Sequence, residues 1–273
     1  MFDHKKIIIG FSILLFASPL FATQVSPEIS TAIDCNAIKA KYQCPAQKHR
    51  IHLSFDDGVG SVTPKILDIL KHENIKATFL ILGNKVDCKK HKTGSQSHKL
   101  CQQRFATLQR IKREGHDIGS HSYQHHHHSE LNPAQLNDTI MRSRHILEPF
   151  FTTEPAIFRL PYGDGWFNQK KAPQVMQALK KAGFFHLGWE MTAYDWNRDY
   201  QRGDKILDNV LGQMCGKGKR GRDGVALFHD GVFENEHEGR LFTANNLARW
   251  IPAIRCVADF KPLLHFKKNL KKK

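Results

Sequence analysis

Two adjacent carboxylates, Asp56 and Asp57, precede Gly58 in the segment Ser54-Phe55-Asp56-Asp57-Gly58. Neighbouring acids can take different roles at one site, although Asp-Gly taken alone is an ordinary turn dipeptide. Further along, His121 and His125 stand four residues apart. That spacing predicts two imidazoles on one face of a helical turn. A carboxylate and two imidazoles hold a divalent ion with open coordination positions, which suits activation of a water molecule. His125 opens a run of four histidines, and such tracts also bind metal adventitiously at surfaces. The spacing selects His125 and leaves His126, His127 and His128 as surface or rim residues.

These groups need a scaffold that brings distant segments to one face. Ile51, Leu53 and Phe55 alternate as a strand does, so the Asp pair falls at a strand's end. Thr63-Pro64 then opens a helix, with Thr63 as cap. Strands are expected at Ala77–Leu82, up to Ile118, and over Ala156–Leu160, Phe184–Trp189, Val225–Phe228 and Phe260–Leu264. Helices are expected between them: Gln102–Glu114 stopped by Gly115, Asn132-Pro133 to Leu147, Pro173–Lys181 stopped by Gly183, Asp204–Met214 and Thr243–Val257. Lys85–Lys99 reads as a polar surface insertion. Strands alternating with helices predict an α/β fold, a distorted (β/α) barrel of about seven parallel strands, with chemistry at the strand C-terminal ends.

The motifs, in order, resemble those of the polysaccharide deacetylases of the NodB-homology type, carbohydrate esterase family 4, across nearly all of His49 to Leu264. The resemblance implies that Asp56 is the general base and that Asp57, His121 and His125 bind the metal. Arg159-Leu160-Pro161-Tyr162-Gly163 is similar to a motif in which the Arg orients the base and the Tyr backbone amide holds an oxyanion. Asp195-Trp196 resembles a pair in which the Asp tunes a catalytic histidine and the Trp walls the pocket. Leu227-Phe228-His229 resembles the motif supplying a pocket wall and the general acid, His229. The family usually carries an acid three residues before Asp195, where this chain has Thr192; Glu190 is close but out of register. The implied activity is metal-dependent removal of N-acetyl groups from an N-acetylglucosamine-containing polysaccharide, peptidoglycan or chitin-type. Zinc is the expected ion, with cobalt or nickel as alternatives. Competing functions are a deacetylase or deformylase of a lipid-linked amino sugar, and a non-catalytic glycan-binding protein on the same scaffold.

Lys5 and Lys6 precede an apolar run, Ile7 to Phe16, too short to span a bilayer comfortably. Residues 1–22 therefore read as a signal peptide, with an uncleaved anchor as the alternative. Export to the periplasm or beyond follows. A lead-in over residues 23–48, a catalytic domain over 49–266 and a basic tail over 267–273 complete the expected organisation. An even set of six cysteines suits an oxidising compartment. Nearest-neighbour pairing predicts Cys35–Cys44, Cys88–Cys101 and Cys215–Cys256. The chain has 273 residues, with 41 Lys and Arg against 26 Asp and Glu, a formal charge of +15. Its basic residues are spread along the chain without a nucleic-acid-binding motif, so nucleic acid is not the expected partner. An N-acetylated glycan is, along with peripheral contact to an anionic cell wall or membrane surface, or plain solubility; a monomer is expected.

Overall fold

The computed structural model describes residues 33–216, 221–233 and 240–266. The expected signal peptide and basic tail lie outside the described residues. The elements run α1 Cys35–Tyr42, β1 His49–Gly58, α2 Thr63–His72, β2 Thr78–Ile81, α3 Gly83–Val86, α4 Gln96–Arg113, β3 Asp117–Ser120, α5 Pro133–Leu147, β4 Ala156–Phe158, α6 Pro173–Lys181, β5 Phe184–His186, β6 Met191–Thr192, α7 Lys205–Cys215, β7 Gly224–His229, α8 Leu241–Val257 and β8 Ala258–Phe260.

The strands form one parallel sheet in the order β5-β4-β3-β2-β1-β7-β6, with β8 joined to the start of β1. This is the expected α/β architecture, a half-barrel that stays open between β5 and β6 among the described residues. β1 is its centre. From Ile51 to Gly58 it is buried without interruption, as a parallel strand covered on both faces must be. Phe55 stacks on Phe79 of β2 at 5.3 Å and lies 5.9 Å from Phe228 of β7, while Trp250 of α8 closes the layer behind Phe228. Truncating a ring such as Phe55 to alanine in such a core costs about 3–5 kcal/mol.

Local signals hold where they are strongest. Asn132 caps α5 in a reciprocal pair with Gln135, Pro133 fills the first turn, and Gly183 turns the chain out of α6 at φ 74°. Elsewhere the boundaries move. Thr63 is the first residue of α2 rather than its cap; its hydroxyl accepts from the Gly60 amide and donates to Asp230. Helix α4 starts at Gln96, where Ser95 accepts from the His98 amide, so the supposed insertion is largely ordered by α3, a turn at Cys88–Lys90 and the first turn of α4. β6 has two residues, too few to show a period. The final strand is Ala258–Phe260, because α8 runs directly into it, and Leu263–Phe266 is a helical turn.

The disulfides correct two of the three expected pairs. Cys35 bonds Cys256 and Cys44 bonds Cys215, while Cys88–Cys101 forms as expected. Cys35 opens α1 and Cys44 lies just beyond its end. At 1.5 Å per residue the helix holds them roughly 12 Å apart, too far to bond to each other. The lead-in is thus tied to α8 and to the end of α7.

Candidate active site and metal centre

The C-terminal ends of the strands deliver the functional side chains. β1 supplies Asp56 and Asp57, the turn after β3 His121 and His125, the turn after β4 Tyr162, the loop after β6 Trp196, and β7 Leu227 and His229. All eight line one cleft of about 650 Å³. Arg159 and Asp195 are fully buried behind it.

The metal candidates cluster: one ligand atom from each of Asp57, His121 and His125 lies within 4.8 Å of the others. The His121 and His125 Nε2 atoms stand 3.4 and 3.2 Å from Asp57 Oδ1. His121 Nδ1 donates to the Arg159 carbonyl at 2.9 Å, which leaves its Nε2 as a lone pair facing the carboxylate. Burial pushes the His121 pKa well below 6.5 and, with His121 and His229 nearby, pushes His125 down to about 2. Both rings are therefore neutral donors. Burial, opposed by His229 and reinforced by Asp56, raises Asp57 to about 6, and its Oδ1 is buried with no hydrogen-bond partner. Converging lone pairs around an unsatisfied carboxylate oxygen are what a divalent cation reconciles, so these residues fit one.

The pair is not on a helical turn. The chain from His121 to His127 is irregular, and Ser122 and His125 adopt left-handed backbone at φ 73° and 62°. The His125 amide donates to Ser122 Oγ, which folds the segment back so that the two rings meet at 5.0 Å. Asp57, Tyr162 and Tyr194 are also left-handed, at φ 66°, 57° and 56°. Each costs roughly 1–3 kcal/mol and persists only because its surroundings impose it.

Arg159 forks between Ser54 Oγ at 2.8 Å, Asp56 Oδ1 at 2.7 Å and the Leu187 and Gly188 carbonyls. Burial raises the Asp56 pKa while Arg159 and His229 restrain it. On the opposite side His229 Nδ1 meets Asp195 Oδ1 at 2.7 Å, and Asp195 Oδ2 accepts from the His229 amide and Thr243 Oγ1. Burial alone would lower the His229 pKa; Asp195, then Asp57 and Asp56, outweigh it, and the pKa lies above 6.5. The arrangement can hold a base and an acid across one cleft.

His126 and His127 are exposed, as expected, and His127 stacks on Tyr162 at 3.9 Å. His128 is not at the rim: it is fully buried, its Nδ1 against the His126 carbonyl and its ring edge-on to Phe158. Phe167, Trp189, Tyr194, Phe233 and Arg240 line the cleft without having been anticipated. Phe233 lies flat on His125 at 4.0 Å. No local pattern marks these residues, since each reaches the cleft only through the packing of separate loops. Glu190 does not stand in for the acid missing at Thr192. Its Oε2 accepts from the Val225 amide at 2.8 Å, while Thr192 lines the cleft.

Residues 44–187 match the family model described as polysaccharide deacetylase. The chain is 32% identical over 170 residues to a peptidoglycan-N-acetylglucosamine deacetylase of Bacillus cereus, covering 62% of this chain and 53% of that protein. It is 27% identical over 228 residues to a chitooligosaccharide deacetylase of a Bradyrhizobium species, covering 80% of this chain and 90% of that one. It thus spans about half the length of the first of these relatives and most of the second. A crystal structure of a peptidoglycan N-acetylglucosamine deacetylase in complex with 4-naphthalen-1-yl-N-oxidanyl-benzamide superposes with a TM-score of 0.58 at 27% identity, covering 83% of this chain and 93% of that one. With the matched model covering just over half of its residues and the same half-barrel beneath them, the chain belongs to the polysaccharide deacetylase family.

Proposed function

We propose that this protein hydrolyses N-acetyl groups from an N-acetylglucosamine-containing polysaccharide, peptidoglycan or a chitin-type glycan. The observation that carries the reading is the convergence of Asp57, His121 and His125 with Asp56 on one side and His229 on the other, in a single cleft. The named relatives act on peptidoglycan and chitooligosaccharides, which supports this substrate class.

When bound by Asp57, His121 and His125, a divalent ion supplies Lewis acidity toward the acetyl carbonyl and acidifies the attacking water. Zinc suits this donor set best, and cobalt or nickel serve the same ligands. Asp56, whose carboxylate Arg159 stabilises against the opposing effect of burial, takes the proton from the water. The backbone amide of Tyr162 steadies the developing oxyanion; one such donor is worth about 2.7–4 kcal/mol. His229, whose imidazolium Asp195 stabilises, returns a proton to the leaving amine. Leu227 and Trp196 wall the acetyl methyl. Three disulfides support an oxidising, extracytoplasmic setting, and no helix among the described residues is long and apolar enough to cross a membrane.

Acetate release from N-acetylglucosamine oligomers and from peptidoglycan, by metal-stripped protein before and after adding zinc, tests the proposal. Metal-restored release is expected. Release confined to lipid-linked amino sugars, or stoichiometric metal binding without acetate from either polymer, overturns it.

A further inference from the structure

A second cavity of about 370 Å³ lies between β5 and α6, lined by Trp166, Gln169, Met176, Gln177, Lys180 and His186 among others. It occupies the open side of the half-barrel, where β5 ends the sheet. A cluster of rings separates it from the catalytic cleft. Trp166 and Gly188 line this cavity, while their chain neighbours Phe167 and Trp189 line the cleft. Trp166 lies 4.6 Å from Phe167 and 5.2 Å from Trp189, and Phe167 lies 5.5 Å from Trp189. The same aromatic wall therefore serves both spaces, and Phe167 stands 67% exposed on it.

The lining chemistry is mixed in a way that selects its occupant. Trp166 and Met176 offer an apolar face, and Gln169, Gln177 and Lys180 surround it with exposed amides and an ammonium group. His186 lies 4.9 Å from Trp166 with the two rings tilted at 37°, and its Nε2 is buried without a hydrogen-bond partner. Burial pushes its pKa down to about 3, so the ring is neutral and adds no positive charge to the lining. A pyranose ring has an apolar C–H face and a periphery of hydroxyl and amide groups, the complement of this lining.

We propose that this cavity is a distal sugar subsite, taking a pyranose unit of the same glycan chain whose acetamido group enters the catalytic cleft, with the chain crossing the Trp166–Phe167–Trp189 cluster. The identity of the ligand rests on the deacetylase reading of the cleft. Holding one chain at two points makes affinity depend on chain length, because the second contact forms at high effective concentration.

Calorimetric titration of N-acetylglucosamine oligomers, from the disaccharide to the hexasaccharide, tests the proposal with wild type, Trp166→Ala and Gln177→Ala. Wild-type affinity is expected to climb once the oligomer reaches both spaces. Trp166→Ala should lower hexasaccharide affinity about tenfold, ~1.4 kcal/mol, and leave the disaccharide unchanged. Gln177→Ala should act in the same direction; its exposed position on α6 removes any question of folding. Unchanged hexasaccharide affinity in both variants, an equal loss for disaccharide and hexasaccharide, or no binding of any oligomer overturns the subsite. Acetate measured in parallel separates the two readings. Length-dependent binding sensitive to Trp166 without acetate release sinks the deacetylase and leaves the subsite, whereas acetate release with length-independent binding sinks the subsite alone.

Discussion

Asp56 and His229 are register partners across the neighbouring strands β1 and β7, and the Asp230 amide donates to the Asp56 carbonyl at 3.1 Å. The two strand ends touch backbone to backbone: a Cβ on Gly231 would stand 2.0 Å from the Asp57 carbonyl. The proposed base and acid are therefore fixed by the sheet ladder itself. Asp56→Asn and His229→Ala should each lower the acetate-release rate on the order of 10²–10⁴-fold. Metal content measured by atomic emission should stay stoichiometric in both, since neither residue is a proposed ligand. A variant that keeps wild-type turnover would remove that residue from the chemistry.

Arg159 reaches Asp56 through one prong of a four-way fork that a lysine cannot reproduce. Burial already raises the Asp56 pKa and Arg159 opposes it. In Arg159→Lys the carboxylate should hold its proton to higher pH, so the acid limb of the pH–rate profile moves up. An unmoved acid limb would assign the limb to another group.

For Asp195 and His229 the signs run in opposite directions. The His229 pKa is raised, so its contribution to stability is complete below 6.5 and fades as pH climbs through the folded value. Asp195 is buried, yet His229 above all holds it below 3.8, so its contribution is present above 3.8 and fades as pH falls through the folded value. Asp195→Asn should pull the alkaline limb of the rate profile to lower pH, because His229 must be protonated to act. Wild type should lose melting temperature as pH rises above 6.5, and Asp195→Asn should show less of that decline.

Removal of the metal has a thermodynamic signature separate from turnover. An ion that binds only the folded chain stabilises by about 2.7 kcal/mol at a hundredfold excess over Kd. Chelation should lower the melting temperature of wild type and leave His125→Ala unmoved. A chelator effect that survives in His125→Ala would place the ion elsewhere.

Disulfides closing long loops should matter most. Cys44–Cys215 and Cys35–Cys256 span 171 and 221 residues, and Cys88–Cys101 spans 13. Loop-closure entropy gives about 3 kcal/mol for a short loop and about 4.7 for one near a hundred residues. Replacing both partners of Cys44–Cys215 with serine should lower the melting temperature more than doing so at Cys88–Cys101. Linked peptides in a non-reduced digest would check the pairing directly.

Much of the site could be read in advance because its motifs sit at strand ends that mark themselves locally. The alternation Ile51, Leu53, Phe55 followed by Asp-Asp-Gly places two carboxylates at a strand terminus, and His229 follows the apolar strand Val225–Phe228, whereas Asp195 stands out only through the family resemblance because the two-residue β6 before it carries no period. Such patterns arise from interactions within a few residues of the chain, so side-chain types and their order suffice to reveal them.

Other features depend on groups that meet only after the chain has closed. The four-residue spacing of His121 and His125 suggested a helical turn, but the rings converge through left-handed backbone that the surrounding loops impose. Nearest-neighbour pairing joined Cys35 to Cys44, whereas α1 holds them apart and presents them to α8 and α7. His128 looked like part of an exposed tract and is buried, and the rings of Phe167, Trp189 and Phe233 gather from three separate loops. The amino-acid order thus determines which chemical groups the strand ends offer, while only long-range packing decides which of them meet, because that outcome belongs to the whole core and to no single segment.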